Sequence, residues 1–185
     1  MNKKIKVSKI NLFVTRITFL CFISYFLYGL YKENTSTELP SYSVCFTPPE
    51  NCAIKIIEEI SGAKQQILVQ AYYFTDLDIA HALVLASTRG VVVRVILDKT
   101  QLKHKAAVTD YLKQNGIEIL IDKKPVIAHN KIIIIDDSVV ITGSYNYTYS
   151  AKSKNAENLL VIRDAELTSK YIQNWYFRAK VGTSI

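Results

Sequence analysis

The stretch His129-Asn-Lys131-Ile-Ile-Ile-Ile-Asp136 is the part of the sequence on which the predicted fold depends. Residues 132–135 are four consecutive isoleucines, and a β-branched apolar run of this kind is typical of a buried strand. The polar residues 136–138 end the run, and a second apolar segment, residues 139–142, follows at once. The sequence therefore predicts two consecutive strands joined by a tight turn.

The charged side chains at the two ends of this run have different predicted positions. Because side chains alternate along a strand, His129 and Lys131 share one face while Asn130 points away. An imidazole and an ammonium side by side form a suitable site for an anion. By the same parity Asp136 lies on the opposite face from His129, which favours a role in bracing the loop over contact with a substrate.

A glycine and two polar residues follow the second strand. Gly143 permits a close approach of the backbone, and Ser144 and Asn146 supply a hydroxyl and an amide at the strand end. A histidine alone near a strand end is more often a structural residue than a functional one. The combination of His129 with these groups favours a site.

Strands and helices alternate through the first half of the chain. Strands are predicted over residues 42–46, 67–74, 91–97 and 117–121, with helices around 53–60, 75–90 and 106–114. A late strand over residues 159–163 and a closing helix over 165–180 follow the central stretch. This order predicts an α/β class domain with a mixed, largely parallel β-sheet flanked by helices on both faces. Residues 41–185 are enough for one such domain.

The formal net charge of +7 is concentrated at the N-terminus. Residues 1–40 hold six Lys or Arg against two Glu, which leaves 17 basic and 14 acidic residues, or +3, for residues 41–185. A strongly basic surface, typical of proteins that bind phosphate backbones, is therefore not expected in the folded domain.

The N-terminal segment has the pattern of an export signal. A basic start precedes residues 17–31, which carry no charge over fifteen positions. This length fits a secretory signal peptide better than a spanning helix, which needs about 20 apolar residues. Residues 1–40 are thus predicted to be a signal peptide with a linker, which makes the protein secreted, and the alternative is an uncleaved membrane anchor with an exported domain.

Two cysteines, Cys45 and Cys52, lie in the part predicted to be exported. An oxidising compartment would allow them to form a disulfide across a short loop, and two reduced, partly buried thiols are the alternative. No Cys and His spacing resembles a zinc site, so no metal and no cofactor are predicted.

The pattern His129-x-Lys131-x4-Asp136 with Gly143-Ser144-x-Asn146 resembles the HKD motif of the phospholipase D superfamily. Glu157 stands where that family places a glutamate against its histidine. The segments Ala71-Tyr-Tyr-Phe-Thr-Asp76 and 89–98 also resemble short bacterial members with a single motif, and the likeness covers residues 42–180. The resemblance implies that the catalytic residues are His129, Lys131, Asp136 and Glu157.

The resemblance also implies a role for each of these groups. His129 would attack phosphorus and form a phosphohistidine, and Lys131 would stabilise the negative charge that develops. Glu157 would hold the other ring nitrogen of His129. Ser144, Asn146 and Lys131 would bind the substrate phosphate. In the sequence itself, no cluster of Asp, Glu, His or Cys with ligand spacing lies near the motif and Lys131 already supplies positive charge, so activity is expected to survive EDTA.

The function implied by this resemblance is that of a phospholipase D acting on a phospholipid membrane. The expected reaction is hydrolysis of a phosphatidylcholine-type phospholipid to phosphatidate and choline. The alternative is a non-specific endonuclease on the same scaffold, acting on DNA or RNA, and a third hypothesis is an inactive, membrane-tethered binding module.

The number of histidines predicts the assembly. The resemblance implies a reaction with two histidines, one attacking phosphorus and one protonating the leaving oxygen. The chain has one motif and no internal repeat, and neither His81 nor His104 is followed by Lys at the second position. We therefore expect a homodimer in which a two-fold axis sets His129 of each copy into one composite active site.

Overall fold

The computed structural model describes residues 18–26, 39–104 and 108–185. Residues 18–26 are helical and exposed, and Pro40–Ile185 form a compact unit of their own. Most of the predicted signal peptide or anchor, residues 1–17 and 27–38, lies outside the described residues. Among the helices that the structure describes, none has both the length and the apolar character needed to cross a membrane.

The described part of Pro40–Ile185 contains eight strands and five α-helices. In chain order they are β1 (Ser41–Thr47), α1 (Cys52–Gly62), β2 (Gln66–Ala71), α2 (Leu77–Thr88), β3 (Val92–Asp98), α3 (Thr109–Gln114), β4 (Glu118–Asp122), β5 (Lys131–Ile135), β6 (Val139–Gly143), α4 (Tyr149–Ser153), β7 (Glu157–Arg163), α5 (Ala165–Val181) and β8 (Thr183–Ser184). A 3-10 turn, Lys99–Leu102, follows β3.

All of these strands form a single sheet in the order β1-β7-β6-β5-β2-β3-β4-β8. The predicted α/β class and mixed sheet are confirmed, but less of the sheet is parallel than predicted. Strands β2, β3 and β4 are parallel, and every other neighbouring pair is antiparallel. The reason lies in the connections, because a helix carries the chain back between β2, β3 and β4, whereas a short turn joins β5 to β6.

Helices cover both faces of the sheet, as predicted. Helices α1, α2 and α3 pack on one face, where their apolar side chains join the larger core cluster. Helix α5 packs on the other face through Trp175, which is fully buried and donates its indole N–H to the carbonyl of Val69 at 3.0 Å. The sheet is therefore a central layer between two helical layers, and the loops lie at the ends of its strands.

Several predicted boundaries are corrected by the structure. Strand β2 ends at Ala71, three residues before the predicted end, and β5 begins at Lys131, so His129 lies in the preceding loop. Helix α2, predicted from residue 75, begins at Leu77 and is capped by Asp76, whose carboxylate accepts from two backbone N–H groups. Helix α3 begins at Thr109, and the first residues of the helix predicted from position 106 lie outside the described part.

A disulfide joins Cys45 and Cys52, with their Cα atoms 5.8 Å apart. Of the two alternatives that the sequence leaves open, the structure has the bonded one. The bond connects the edge strand β1 to the first turn of α1. It therefore ties an edge of the sheet to the helical layer.

Candidate active site

The His129 loop lies at the carboxyl ends of the parallel strands. Strand β5 runs antiparallel to β2 with Lys131 opposite Ala71, so the residues before Lys131 continue past the end of β2. The backbone N–H of Tyr72 donates to the carbonyl of Asn130 at 2.9 Å, which fastens the loop to the chain leaving β2. In open α/β sheets this edge is where ligands bind.

His129 and Lys131 are in direct contact, as the sequence predicts. The Nζ atom of Lys131 lies 3.2 Å from Nε2 of His129 and donates to the His129 carbonyl at 3.0 Å. The imidazole is exposed, whereas Lys131 is only 8% exposed. Burial lowers the pKa of Lys131, and the negative charge of Glu157 opposes that shift. The result is a shielded cation beside an accessible imidazole.

Tyr72 is a third member of this group that the sequence analysis did not single out. Its ring centroid lies 4.6 Å from that of His129, and Lys131 Nζ lies 5.2 Å from the Tyr72 ring centroid. The ring therefore limits how far the imidazole can turn and gives the ammonium a cation–π contact. The position of Tyr72 directly after an apolar strand was the available signal.

Ser144 and Glu157 form a second group of side chains. The Ser144 hydroxyl donates to Glu157 Oε2 at 2.6 Å and accepts from the backbone N–H of Asn158 at 3.0 Å. Asn155 donates to the other carboxylate oxygen at 2.9 Å. Within the described part no hydrogen bond joins Glu157 to His129, so the contact implied by the family resemblance is absent here. Both carboxylate oxygens are occupied by nearer donors.

Gly143 and Asn146 shape the end of β6. Gly143 has a φ of +150°, and a Cβ there would lie 2.3 Å from the carbonyl oxygen of Asn158. The close approach expected at this glycine is therefore real, and it delivers Ser144 to Glu157. The side-chain oxygen Oδ1 of Asn146 is buried and has no hydrogen-bond partner among the described residues.

Asp136 lies far from this cluster, at the other end of β5. Its carboxylate accepts from the backbone N–H groups of Lys64, Gln65 and Gln66 at 2.7 to 3.3 Å. The five residues of strand β5, about 15 Å of extended chain, lie between it and the His129 loop. The structure thus places Asp136 in a bracing contact with the start of β2, as the parity argument expects, and its catalytic role stays a prediction.

Asp98, at the end of β3, accepts a hydrogen bond that fixes the His129 loop in place. Its side chain is 1% exposed and accepts from the backbone N–H of Ala128 at 2.7 Å and of Thr100 at 2.9 Å. Burial by itself would raise the pKa of Asp98, but these hydrogen bonds outweigh it and leave the pKa below its usual value. A lone acid at the end of an apolar strand was the sequence signal for this residue.

The remaining candidates from the sequence lie elsewhere. His81 is exposed on α2, and the ring of His104 packs at 5.6 Å from that of Tyr73. Tyr145 and Tyr147, between β6 and α4, are buried in the core. In the described ranges no group of three or more His, Cys, Asp or Glu side chains is placed to hold a metal ion.

The arrangement as a whole suits reaction at a phosphate. It combines an accessible imidazole, a buried cation and a hydroxyl at one edge of the sheet, and groups of these types can attack, neutralise and hydrogen-bond a phosphate.

Comparison with known proteins points the same way. Residues 56–177 match the family model described as cardiolipin synthase, PLD-like domain. The chain is 46% identical over 143 residues to a phospholipase D of Rickettsia prowazekii, which covers 77% of this chain and 70% of that protein. It is 29% identical to the human mitochondrial cardiolipin hydrolase over 75% of this chain and 55% of that one.

Solved structures agree with the sequence matches. Nuc from Salmonella typhimurium, a phospholipase D family member, superposes with a TM-score of 0.76 at 34% identity, covering 80% of this chain and 99% of that one. NucT from Helicobacter pylori shares the fold, with a TM-score of 0.73 at 24% identity, over 80% of this chain and 100% of that one.

Fold and site together define an α/β phosphodiesterase hydrolase. The chain belongs to the phospholipase D superfamily.

Proposed function

We propose that this protein is an exported phospholipase D that hydrolyses phosphatidylcholine-type phospholipid to phosphatidate and choline. The observation that carries the proposal is the exposed His129 imidazole against the shielded Lys131 ammonium, with apolar side chains exposed beside them. Val126 is 86% exposed and Ile127 is 48% exposed, just before His129 in the same loop. Exposed apolar residues at the mouth of a site favour a lipid surface.

The reaction proceeds in two displacements at phosphorus. In the first, an imidazole nitrogen of His129 forms a bond to phosphorus while the bond to the choline oxygen breaks, which gives a phosphohistidine and choline. In the second, water attacks phosphorus and the bond to nitrogen breaks, releasing phosphatidate. Lys131 stabilises the charge that builds up on the non-bridging oxygens in both steps.

Substrate binding changes the partners of Ser144 and Glu157. The Ser144 hydroxyl donates to Glu157 in the free enzyme, at 2.6 Å. When the Ser144 hydroxyl donates its hydrogen bond to a phosphate oxygen instead, one carboxylate oxygen of Glu157 becomes available to the imidazole of His129. A carboxylate on the second ring nitrogen stabilises the imidazolium form. The side-chain NH2 group of Asn146 donates a hydrogen bond to the same phosphate.

The leaving oxygen needs a proton, and a second copy of the chain supplies it. His129 of the same chain already acts as the nucleophile, and His81 is exposed on helix α2. A two-fold axis between two copies brings the second His129 into the same pocket. The active enzyme is therefore a homodimer with one composite site.

Export is supported by two features of the chain. The uncharged segment 17–31 after a basic start has the pattern of a signal peptide. The disulfide between Cys45 and Cys52 is a bond that persists in oxidising compartments.

A non-specific endonuclease on DNA or RNA is the second candidate, and one observation favours it. The rings of Tyr72 and Tyr73 lie 4.3 Å apart beside His129. Pairs of aromatic rings next to a cation are used to stack the bases of single strands. The modest +3 charge of residues 41–185 weighs against this function.

The test is to assay the full-length protein on phosphatidylcholine vesicles and on plasmid DNA side by side. We expect release of choline from the vesicles and no release by the His129→Ala variant. Cleavage of DNA without release of choline would replace the phospholipase with the nuclease. The His129→Ala control separates either activity from a contaminant.

A further inference from the structure

The loop between β4 and β5, residues 123–127, carries two exposed apolar side chains next to the reaction centre. Val126 is 86% exposed and Ile127 is 48% exposed. Both are branched aliphatic residues, and the reaction described above uses neither of them. Neighbouring exposed aliphatic side chains at the mouth of a site mark a surface for an apolar partner.

The start of this loop is fixed by a buried carboxylate. Asp122, at the end of β4, is 1% exposed and accepts from the guanidinium of Arg178 on α5 at 2.7 Å. The same carboxylate accepts from the backbone N–H of Lys124 at 3.2 Å. The chain therefore leaves β4 in a set direction.

The middle and the end of the loop are fixed as well. Lys99 donates from Nζ to the carbonyl of Pro125 at 3.2 Å. Asp98 accepts from the backbone N–H of Ala128 at 2.7 Å, one residue before His129. Since hydrogen bonds hold the chain on both sides of the apolar pair, binding through that pair costs little further conformational entropy.

The exposed charges around the apolar pair are positive. Lys123 and Lys124 are exposed in the loop, and Lys99 is exposed on the adjoining 3-10 turn. The acids that flank these segments, Asp98 and Asp122, are each 1% exposed. Lysines beside an aliphatic tip match a bilayer surface, where anionic headgroups cover hydrocarbon. A nucleic acid also attracts lysines, but it offers the aliphatic pair no hydrocarbon to enter.

We propose that residues 123–127 form a membrane-docking loop whose partner is a bilayer that contains anionic phospholipid. Val126 and Ile127 enter the hydrocarbon boundary, and the lysines stay among the headgroups. Because Ala128 joins the loop to His129, the inserted loop holds the imidazole at the level of the lipid phosphates. The effect on turnover rests on the proposed phospholipase function, whereas the docking itself does not.

The first experiment places a tryptophan at the tip of the loop, because an N-terminal anchor would also bind membranes and the probe must report on the loop alone. Full-length Val126→Trp, in a His129→Ala background that prevents turnover, is titrated with vesicles of phosphatidylcholine and phosphatidylglycerol. The native tryptophan, Trp175, is fully buried and gives a constant background. We expect a saturable blue shift of the emission. Val92→Trp, at a 56% exposed position at the other end of the sheet, is the matched control and should show no shift.

Charge variants of the same probe protein test the anionic partner. Lys123→Gln and Lys124→Gln should each require about fivefold more lipid for the same shift, because each lysine is attracted by the anionic surface. Lys64→Gln, exposed just before β2 at the opposite end of the sheet, should leave the titration unchanged. An equal effect of all three substitutions would reject a specific role for the loop lysines.

The second experiment separates docking from chemistry. Wild type and a double variant, Val126→Ser with Ile127→Ser, are assayed on vesicles and on short-chain phosphatidylcholine dissolved as monomers. We expect the double variant to lose roughly tenfold or more in kcat/KM on vesicles and to keep the wild-type rate on monomers, since only vesicles offer a surface to enter. Equal losses on both substrates would make the loop a support of the active site and overturn the docking role.

The two proposals fail in different ways. No blue shift of Val126→Trp, or an equal shift of Val92→Trp, would overturn the docking loop, and release of choline would still support the phospholipase. A shift specific to Val126→Trp without release of choline from either substrate would keep the loop and reject the phospholipase. Binding of a single-stranded oligonucleotide that is weakened by the lysine variants, without a shift on vesicles, would replace the membrane with a nucleic acid.

Discussion

At the residue scale, the site depends on the different exposure of two neighbouring groups. The His129 imidazole is open to solvent, whereas Lys131 is 8% exposed and keeps its ammonium 3.2 Å from Nε2. Exposure lets the imidazole reach a phosphorus atom. Burial keeps the cation in place and strengthens its field, because water screens it less.

Replacing either member of this pair should abolish turnover. We expect His129→Ala and Lys131→Ala each to lower kcat by about a thousandfold or more, since one removes the nucleophile and the other the stabilising charge. Circular dichroism should show an intact fold. His81→Ala, at an exposed histidine on α2, is the matched control and should retain full activity. Turnover by a folded His129→Ala protein would reject the assignment.

The lowered pKa of Lys131 predicts the alkaline limit of activity. Lys131 acts only while protonated, and burial lowers its pKa, so activity should fall as pH rises through a value below the ordinary lysine pKa of about 10.4. A pH profile of kcat measures this limb. Arginine stays protonated over this whole pH range, so Lys131→Arg should not show the alkaline fall of kcat. Its kcat should be lower than that of the wild type. A limb at the same pH in both proteins would assign it to another group.

At the element scale, two carboxylates hold the two ends of the central strand in place. Asp98 fastens the loop before β5 through Ala128, and Asp136 fastens the turn after β5 to the start of β2. Each accepts backbone N–H groups from segments distant in sequence. One therefore supports the reacting end of the sheet and the other the opposite end.

The two carboxylates should be distinguishable by mutation. Asp98→Asn should lower kcat roughly ten- to hundredfold, because an amide has one acceptor oxygen for the N–H groups of Ala128 and Thr100, and its NH2 group repels the other and displaces the loop. Asp136→Ala should lower the free energy of unfolding by about 1–3 kcal/mol, since it leaves backbone N–H groups without an acceptor, and leave kcat of the folded protein nearly unchanged. Chemical denaturation and steady-state kinetics measure both. If folded Asp136→Ala is as inactive as Asp98→Asn, Asp136 belongs to the reaction after all.

The end of β6 should tolerate no side chain. Gly143→Ala would set a Cβ 2.3 Å from the Asn158 carbonyl oxygen and push Ser144 away from Glu157. We expect lower kcat together with a stability loss of about 1–3 kcal/mol. Gly90→Ala is the control, because Gly90 also has positive φ, +91°, with nothing within 4 Å of the added Cβ. It should lose stability alone, and equal kcat in both variants would contradict the placement of Ser144.

At the scale of the whole molecule, the sheet determines how the groups of the site come together. The residues of the site and its supports lie on or directly beside β2, β3, β5, β6 and β7, so five strands must pair correctly to assemble them. Helix α5 covers one face through Trp175, and α1 to α3 cover the other. In the proposed dimer, a second copy would contribute its own His129 at the carboxyl ends of the parallel strands, where the His129 loop lies.

The proposed homodimer predicts how activity depends on subunit composition. Light scattering on the full-length protein should give twice the chain mass, and specific activity should fall once dilution dissociates the dimer. A heterodimer of wild type and His129→Ala should be nearly inactive, because its single site lacks one histidine. Half of the wild-type activity in that heterodimer, or a fully active monomer, would show that each subunit works alone.

The sequence by itself determined the features that depend on neighbouring residues. Alternation and β-branched runs located most strands and the closing helix, and the spacing of His129, Lys131, Gly143 and Ser144 identified the superfamily. These patterns are local, because the direction of a side chain follows from the backbone geometry of its own strand.

Only the tertiary structure decided which groups meet across the sheet. It directed Glu157 to Ser144 and not to His129, gave Asp98 its hold on the catalytic loop, and placed Tyr72 against the imidazole. It also limited the parallel pairing to β2, β3 and β4. A carboxylate binds the nearest available donor, and which donor is nearest depends on how strands distant in sequence are ordered and packed.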